Sequence, residues 1–291
     1  MKAVVFPGQG SQFIGMGLDL YNDNNKAKKL FRLANKIIDF DICKVMFYGS
    51  ENDLKQTNVT QPAIFIHSVI AAKCMKSFQP DVVAGHSLGE FSALAAVGSL
   101  SFEDGLQLVI KRAEAMYSAC TQTTSTMAAI IGLEAAIIEQ TCKKMEGIVV
   151  PANYNSHNQI VISGDKKTVE KACKKLLELG AKRAILLPVS GAFHSPIMHS
   201  AKAVLKSAID MLEFQNPSCP IYQNVCATPV QNKLEVKTNL IEQLTQPVKW
   251  YQTIENMIID GTKEFIEIGP GNVLTNLNKR INKEIKSTKK N

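Results

Sequence analysis

The run Gly85-His86-Ser87-Leu88-Gly89 follows directly on the apolar stretch Val82-Val83-Ala84. The pattern is G-x-S-x-G, which presents a serine hydroxyl on a sharp strand-to-helix turn as an acyl-accepting nucleophile. The glycines suit a turn too tight for a Cβ on either side of the serine. A serine hydroxyl is a weak nucleophile until a base takes its proton, so a histidine must reach it in space. The chain offers His67, His86, His157, His194 and His199. His67 lies in an apolar helical stretch, and His86 is turned away by its adjacency to the serine and is expected to brace the turn. His157 sits in a polar loop and His199 on a helix. His194 lies where a strand-like segment breaks into the loop Gly191-Ala192-Phe193-His194-Ser195. Loops at strand ends collect catalytic groups, so Ser87 and His194 are the expected nucleophile and base.

The base needs an acceptor for its second ring N–H. Asp165 falls between Ser87 and His194, in the chain order of a hydrolase triad. It also directly precedes a helical pattern, where an aspartate caps the helix N-terminus. No other acid offers itself, which leaves open a Ser–His pair whose histidine is held by a main-chain carbonyl. The turn Gly8-Gln9-Gly10 could bring the Gln9 N–H beside the serine, forming an oxyanion hole with the N–H of Leu88. Read as a nucleotide loop it lacks the lysine of G-x-x-x-x-G-K-[ST]. Arg112 lies among Val109, Ile110, Ala113 and Met116 on a helical pattern. It is either a surface residue or a ligand for a carboxylate, which its planar fork can hold through two parallel hydrogen bonds.

Strands alternating with helices position these groups and predict an α/β fold with a mostly parallel sheet. Helical patterns are expected over 15–21, 25–38, 61–78 (with Pro62 in the first turn) and 101–120. Residues 126–189 change rhythm to the order β-α-β-β-α-β, that of a ferredoxin-like unit. The expected organisation is a large subdomain from 1–125 and 190–291, with a small one inserted at 126–189. The end of the chain, from Lys279 and Arg280 to Asn291, reads as a loose tail.

The chain has 291 residues, enough for one large and one smaller unit. No stretch approaches the roughly 20 apolar residues of a membrane span, and no leader pattern precedes the first strand. The seven cysteines are scattered and never spaced C-x-x-C, which suits reduced thiols in an intracellular protein, and no grouping has metal-ligand spacing. The net charge of +7 comes from dispersed lysine. Without interleaved aromatics it argues against a nucleic-acid partner and favours an acidic or phosphate-bearing one.

Together these residues resemble the malonyl-CoA:acyl carrier protein transacylase family of type II fatty acid synthesis. The likeness runs almost end to end, through 6–12, 60–63, 85–90, Arg112, 127–132, 153–156, 191–195, Gln243, 247–250 and 267–271. The resemblance implies a hydrolase-like large subdomain with a ferredoxin-like small one. It implies Ser87 as nucleophile and His194 as base, with the main-chain carbonyl of Gln243 orienting His194. It implies Leu88 and Gln9 as the oxyanion hole, Arg112 as the grip on the malonate carboxylate, and Phe193 as the bar to an α-methyl group. Arg183, Lys279 and Arg280 align with basic positions that meet acidic acyl carrier protein. Asparagine is common in the family where Gln246 stands here. No tightly bound cofactor is implied, since coenzyme A enters as the thioester substrate. A monomer in a bacterial cytoplasm or plastid stroma is expected. A thioesterase or carboxylesterase would share the serine turn but deliver the acyl group to water. A non-catalytic carrier-binding module would need neither Ser87 nor His194.

Overall fold

The computed structural model describes residues 1–189 and 191–290. Ser190, the expected boundary residue, and Asn291 lie outside the described residues. The strands are β1 (Lys2–Phe6), β2 (Val82–Gly85), β3 (Ser125–Ile131), β4 (Val149–Ser156), β5 (Gln159–Asp165), β6 (Arg183–Leu186), β7 (Ile221–Tyr222), β8 (Pro229–Val230), β9 (Glu264–Ile268) and β10 (Lys286–Lys290). They form two sheets. The first runs β10-β9-β1-β2-β7-β8, with every pair parallel except β7 and β8. Its central strands β1 and β2 are nearly continuous apolar runs because both faces are covered. Ala3 and Val5 of β1 enter one core with Trp250 and Phe265, while Val4 and Phe6 enter the other with Phe31 and Phe91.

The second sheet runs β4-β5-β3-β6 and is antiparallel throughout. Alternation along β3 decides what each face touches. Ala128 and Ile130 pack beneath the helices Ala135–Lys144 and Lys166–Glu178, against Ile138, Val169 and Leu176. Met127 and Ala129 turn the other way and join the core of the first sheet. The second sheet is thereby welded to the first across one shared apolar face.

The structure corrects several expectations. The helix expected over 15–21 begins at Leu18, because Gly15 and Gly17 both adopt positive φ, 91° and 85°, which ends regular helix there. The helix expected over 61–78 spans Thr57–Cys74, so Pro62 lies inside it rather than in its first turn. Burial overrides the proline's missing hydrogen bond, since nearly every residue from Val59 to Ala72 is in the core. Asp165 sits at the N-cap position of Lys166–Glu178, yet its side chain makes no bond to that helix. Its Oδ2 instead accepts the N–H of Ile148 at 2.9 Å, tying the helix start to the strand alongside. The expected loose tail carries regular structure as far as Lys290. Lys279 and Arg280 form the last turn of the helix Val273–Ile281, and β10 pairs with β9 along five residues. Among the described residues no helix is long and apolar enough to cross a membrane.

Candidate active site

Strand β2 ends at Gly85, and the helix Leu88–Ala96 begins three residues later. Ser87 occupies the turn between them with φ 51° and ψ −107°, outside the ordinary regions for a residue with a side chain. Such a conformation costs ~1–3 kcal/mol and persists only where its surroundings over-determine it. The two glycines make the close approach possible. A Cβ on Gly85 would stand 1.9 Å from the carbonyl carbon of Gly89, and one on Gly89 would stand 2.0 Å from the oxygen of Phe6.

The turn aims the Ser87 hydroxyl at the loop carrying His194, with Oγ 2.8 Å from Nε2. His194 has φ 56° and is 4 % exposed. Its loop is pinned on both sides: Ser163 Oγ donates to the Phe193 carbonyl at 2.6 Å and Ser195 Oγ donates to the Ala192 carbonyl at 2.7 Å. Nδ1 of His194 lies 2.9 Å from the carbonyl oxygen of Gln243. A carbonyl can only accept, so Nδ1 carries the proton and Nε2 of the neutral ring has a free lone pair for the serine. Gln243 directly follows the helix Lys233–Glu242, where main-chain carbonyls lack helical partners and the helix dipole favours positive charge. Burial, and then the nearby Arg112, push the imidazole down to about 3, so it stands neutral at rest.

Arg112 is 1 % exposed, on the helix Phe102–Gln122. Nη1 donates to Gln61 Oε1 at 2.5 Å, and Nη2 donates to Ser87 Oγ at 3.0 Å and to Gln243 Oε1 at 3.2 Å. Its Nε has no partner among the described residues. Burial lowers its pKa to about 10, which leaves the guanidinium charged at neutral pH. The buried carboxyl of Glu90 is pushed up to about 7, chiefly by desolvation, and acts on Arg112 through space, favouring its charged form. Arg112 is thus a buried cation whose direct hydrogen-bond partners, two amides and the Ser87 hydroxyl, are all neutral, with the Phe91 ring beneath it.

Gln9, Leu88, Phe193, Met127, Asn153, Val161, Leu187 and Val189 line the cleft above Ser87. The N–H groups of Gln9 and Leu88 find no acceptor among the described residues. The structure therefore brings Ser87, His194, Gln243, Gln9, Leu88, Arg112 and Phe193 to one place. It does not bring the basic residues there: Arg183 is exposed on β6, and Lys279 and Arg280 are exposed at the end of their helix. Asp165 binds Ile148 and takes no part. His86 braces the turn, with Nε2 2.9 Å from Asn155 Oδ1 and its ring beside Trp250. Sequence reasoning passed over Gln61, Asn155 and Asn224. Gln61 stood beside Pro62 in a recognisable tract, but no local pattern links an amide side chain to an arginine fifty-one residues away. Among the described residues no group of three or more His, Cys, Asp or Glu could hold a metal. Chemically, the arrangement can deprotonate a serine, stabilise an oxyanion and receive an anion beside the reacting carbon.

A family model described as acyl transferase domain matches residues 3–290. A Bacillus subtilis protein named malonyl CoA-acyl carrier protein transacylase is 43% identical over 290 residues, covering 98% of this chain and 92% of that protein. A crystal structure of an acyl carrier protein S-malonyltransferase from Vibrio cholerae superposes with a TM-score of 0.96 at 40% identity, covering 100% of this chain and 96% of that one. A malonyl-transacylase solved in complex with its type II PKS acyl-carrier protein superposes with a TM-score of 0.95 at 37% identity, covering 100% of this chain and 96% of that one.

Proposed function

Because the chain belongs to the acyl transferase family, we propose that it carries a malonyl group from coenzyme A to the phosphopantetheine thiol of acyl carrier protein, with Ser87 as the relay. Ser87 Oγ gives its proton to Nε2 of His194 and attacks the thioester carbon. The oxyanion forms against the N–H groups of Leu88 and Gln9. When it collapses, the imidazolium returns the proton to sulfur and coenzyme A departs as the thiol. The carrier thiol then loses its proton to His194 and attacks the malonyl ester, and Ser87 leaves with that proton. Throughout, the Gln243 carbonyl holds the Nδ1–H, keeping one tautomer in place and stabilising the transient imidazolium. A placed base contributes ~10²–10⁴ in rate and each oxyanion donor ~10²–10³.

The observation that carries this reading is the guanidinium of Arg112, buried 3.0 Å from Ser87 Oγ with only neutral direct hydrogen-bond partners among the described residues. A buried cation with no directly paired carboxylate is costly unless a partner arrives. A substrate carboxylate two bonds from the reacting carbonyl supplies that partner, and an ordinary esterase has no use for it. Phe193 walls the cleft and restricts the α-carbon. The reading needs no tightly bound cofactor, since coenzyme A enters as the thioester substrate, and a monomer is proposed.

The second sheet, β4-β5-β3-β6, is read as a ferredoxin-like subdomain inserted at 126–189 into a hydrolase-like body of 1–125 and 190–291. Its antiparallel order and its two covering helices support that reading. Arg183, Lys279 and Arg280 are offered as contacts for an acidic carrier. The test is incubation with malonyl-CoA and holo-acyl carrier protein, following malonyl-carrier against free malonate. Malonyl-carrier is expected; free malonate alone would make the protein a thioesterase, and neither product would make it a binding module.

A further inference from the structure

We propose that Asn224 is a positioning residue that holds the strained serine turn in its reactive shape. The inference rests on the reading of Ser87 as the acyl-carrying residue. Asn224 lies just past β7, whose register against β2 pairs Ala84 with Tyr222. Two further residues along each strand bring Asn224 level with the turn. It is 1 % exposed. Its Oδ1 accepts the Ser87 N–H at 2.7 Å and its Nδ2 donates to the Gly85 carbonyl at 2.6 Å. One amide therefore grips the backbone on both sides of His86, across the segment where Ser87 takes its unusual φ.

The amide orientation is dictated by chemistry, since an N–H must meet the oxygen and a carbonyl must meet the nitrogen. Only asparagine, among side chains of this length, serves both. Its own backbone is fixed as well: the Asn224 N–H donates to Glu90 Oε2 at 2.7 Å, and its carbonyl accepts the Lys249 N–H at 3.1 Å. Glu90 rides on the helix Leu88–Ala96 that the turn launches, so turn, helix and Asn224 form a closed loop of hydrogen bonds. This supplies the over-determination that a strained residue requires. It also commits the Ser87 N–H to Asn224, leaving the oxyanion to Leu88 and Gln9.

The test has two arms. In the unmodified protein, NMR-detected amide exchange should find the Ser87 N–H in the slow class and the Leu88 N–H, open to the cleft, exchanging faster. The reverse order overturns the proposal whatever the variants do. In the second arm, Asn224→Ala and the near-isosteric Asn224→Asp are compared by single-turnover malonylation with labelled malonyl-CoA. Asn224→Ala should slow the rate constant roughly 10–100-fold, the cost of lost hydrogen bonds to a strained turn, with KM for malonyl-CoA within about threefold of the parent. Asn224→Asp, which keeps the acceptor and loses the donor, should fall between them. A purely structural role would reduce the burst amplitude and leave the rate constant of the surviving sites unchanged, and that outcome also overturns the proposal. Absence of label on the unmodified Ser87 would refute the acyl-carrying reading instead, leaving the exchange order to judge the clamp.

Discussion

His194 donates its Nδ1–H to the main-chain carbonyl of Gln243 at 2.9 Å, where a hydrolase triad would place a carboxylate. A carbonyl orients the ring as a carboxylate does but lends it no full negative charge. Burial first, and then Arg112 and His86 as charged or titratable neighbours, disfavour the imidazolium, so the ring stays neutral far below the ordinary histidine range.

That sign sets the pH profile. A base whose pKa is lowered from 6.5 to about 3 keeps its active, neutral form as pH falls through 6 and 5. The rate constant for malonylation of Ser87 is expected to show no loss centred at 6.5. Glu90, raised to about 7, titrates in that region and must be controlled for. An inflexion near 6.5 that survives Glu90→Gln would return His194 to its ordinary value and refute the argument.

Arg112→Ala should cut kcat/KM for malonyl-CoA by about 10²–10³, the effect of truncating one partner of a buried charge pair. The loss for acetyl-CoA should be smaller, because acetyl offers no carboxylate. Arg112→Lys should rescue little, since an ammonium cannot hold Gln61, Gln243 and a carboxylate in one plane. Equal losses for both thioesters would reject the carboxylate role.

Phe193 is 6 % exposed and lines the cleft. Phe193→Ala should raise the relative kcat/KM for methylmalonyl-CoA by roughly 10-fold or more, the scale of one methyl group in an apolar pocket. An unchanged ratio would move selectivity to another wall of the cleft.

Gly89→Ala places a methyl 2.0 Å from the Phe6 oxygen, which belongs to a central strand and cannot retreat. Overpacking of this kind costs ~1–3 kcal/mol or more. Denaturant unfolding is expected to show a lowered midpoint, with malonylation impaired beyond the loss of folded protein. A wild-type midpoint would mean the turn has room that the geometry denies.

The parts of this site that depend on local chain geometry were legible in the sequence. Ser87 announced itself because a tight turn demands glycines at fixed offsets, and the alternation of strands and helices implied a parallel sheet. His194 emerged by elimination, and Arg112 because an arginine among Val109, Ile110, Ala113 and Met116 on a helical pattern stands out. Gln61 and Asn224 stayed hidden because an amide carries no signature of its own. Asn224 acts on a residue 137 positions away, and only β2–β7 pairing makes them neighbours. The helix boundary at Thr57 was missed for a related reason: burial of an entire helix outweighed the proline rule that normally marks a start. The C-terminal strand was missed because Lys286–Lys290 alternates no apolar residues and gains its order from the edge of β9.

The proposed nucleophile Ser87, base His194 and carboxylate ligand Arg112 lie outside the second sheet, whereas Met127, Asn153 and Val161, which line the same cleft, lie on it. The cleft therefore takes part of its acyl wall from a sheet that does not carry the proposed reacting pair. Substitutions in β3, β4 or β5 would reshape that wall without touching the proposed proton relay, which separates tuning of acyl preference from tuning of the base.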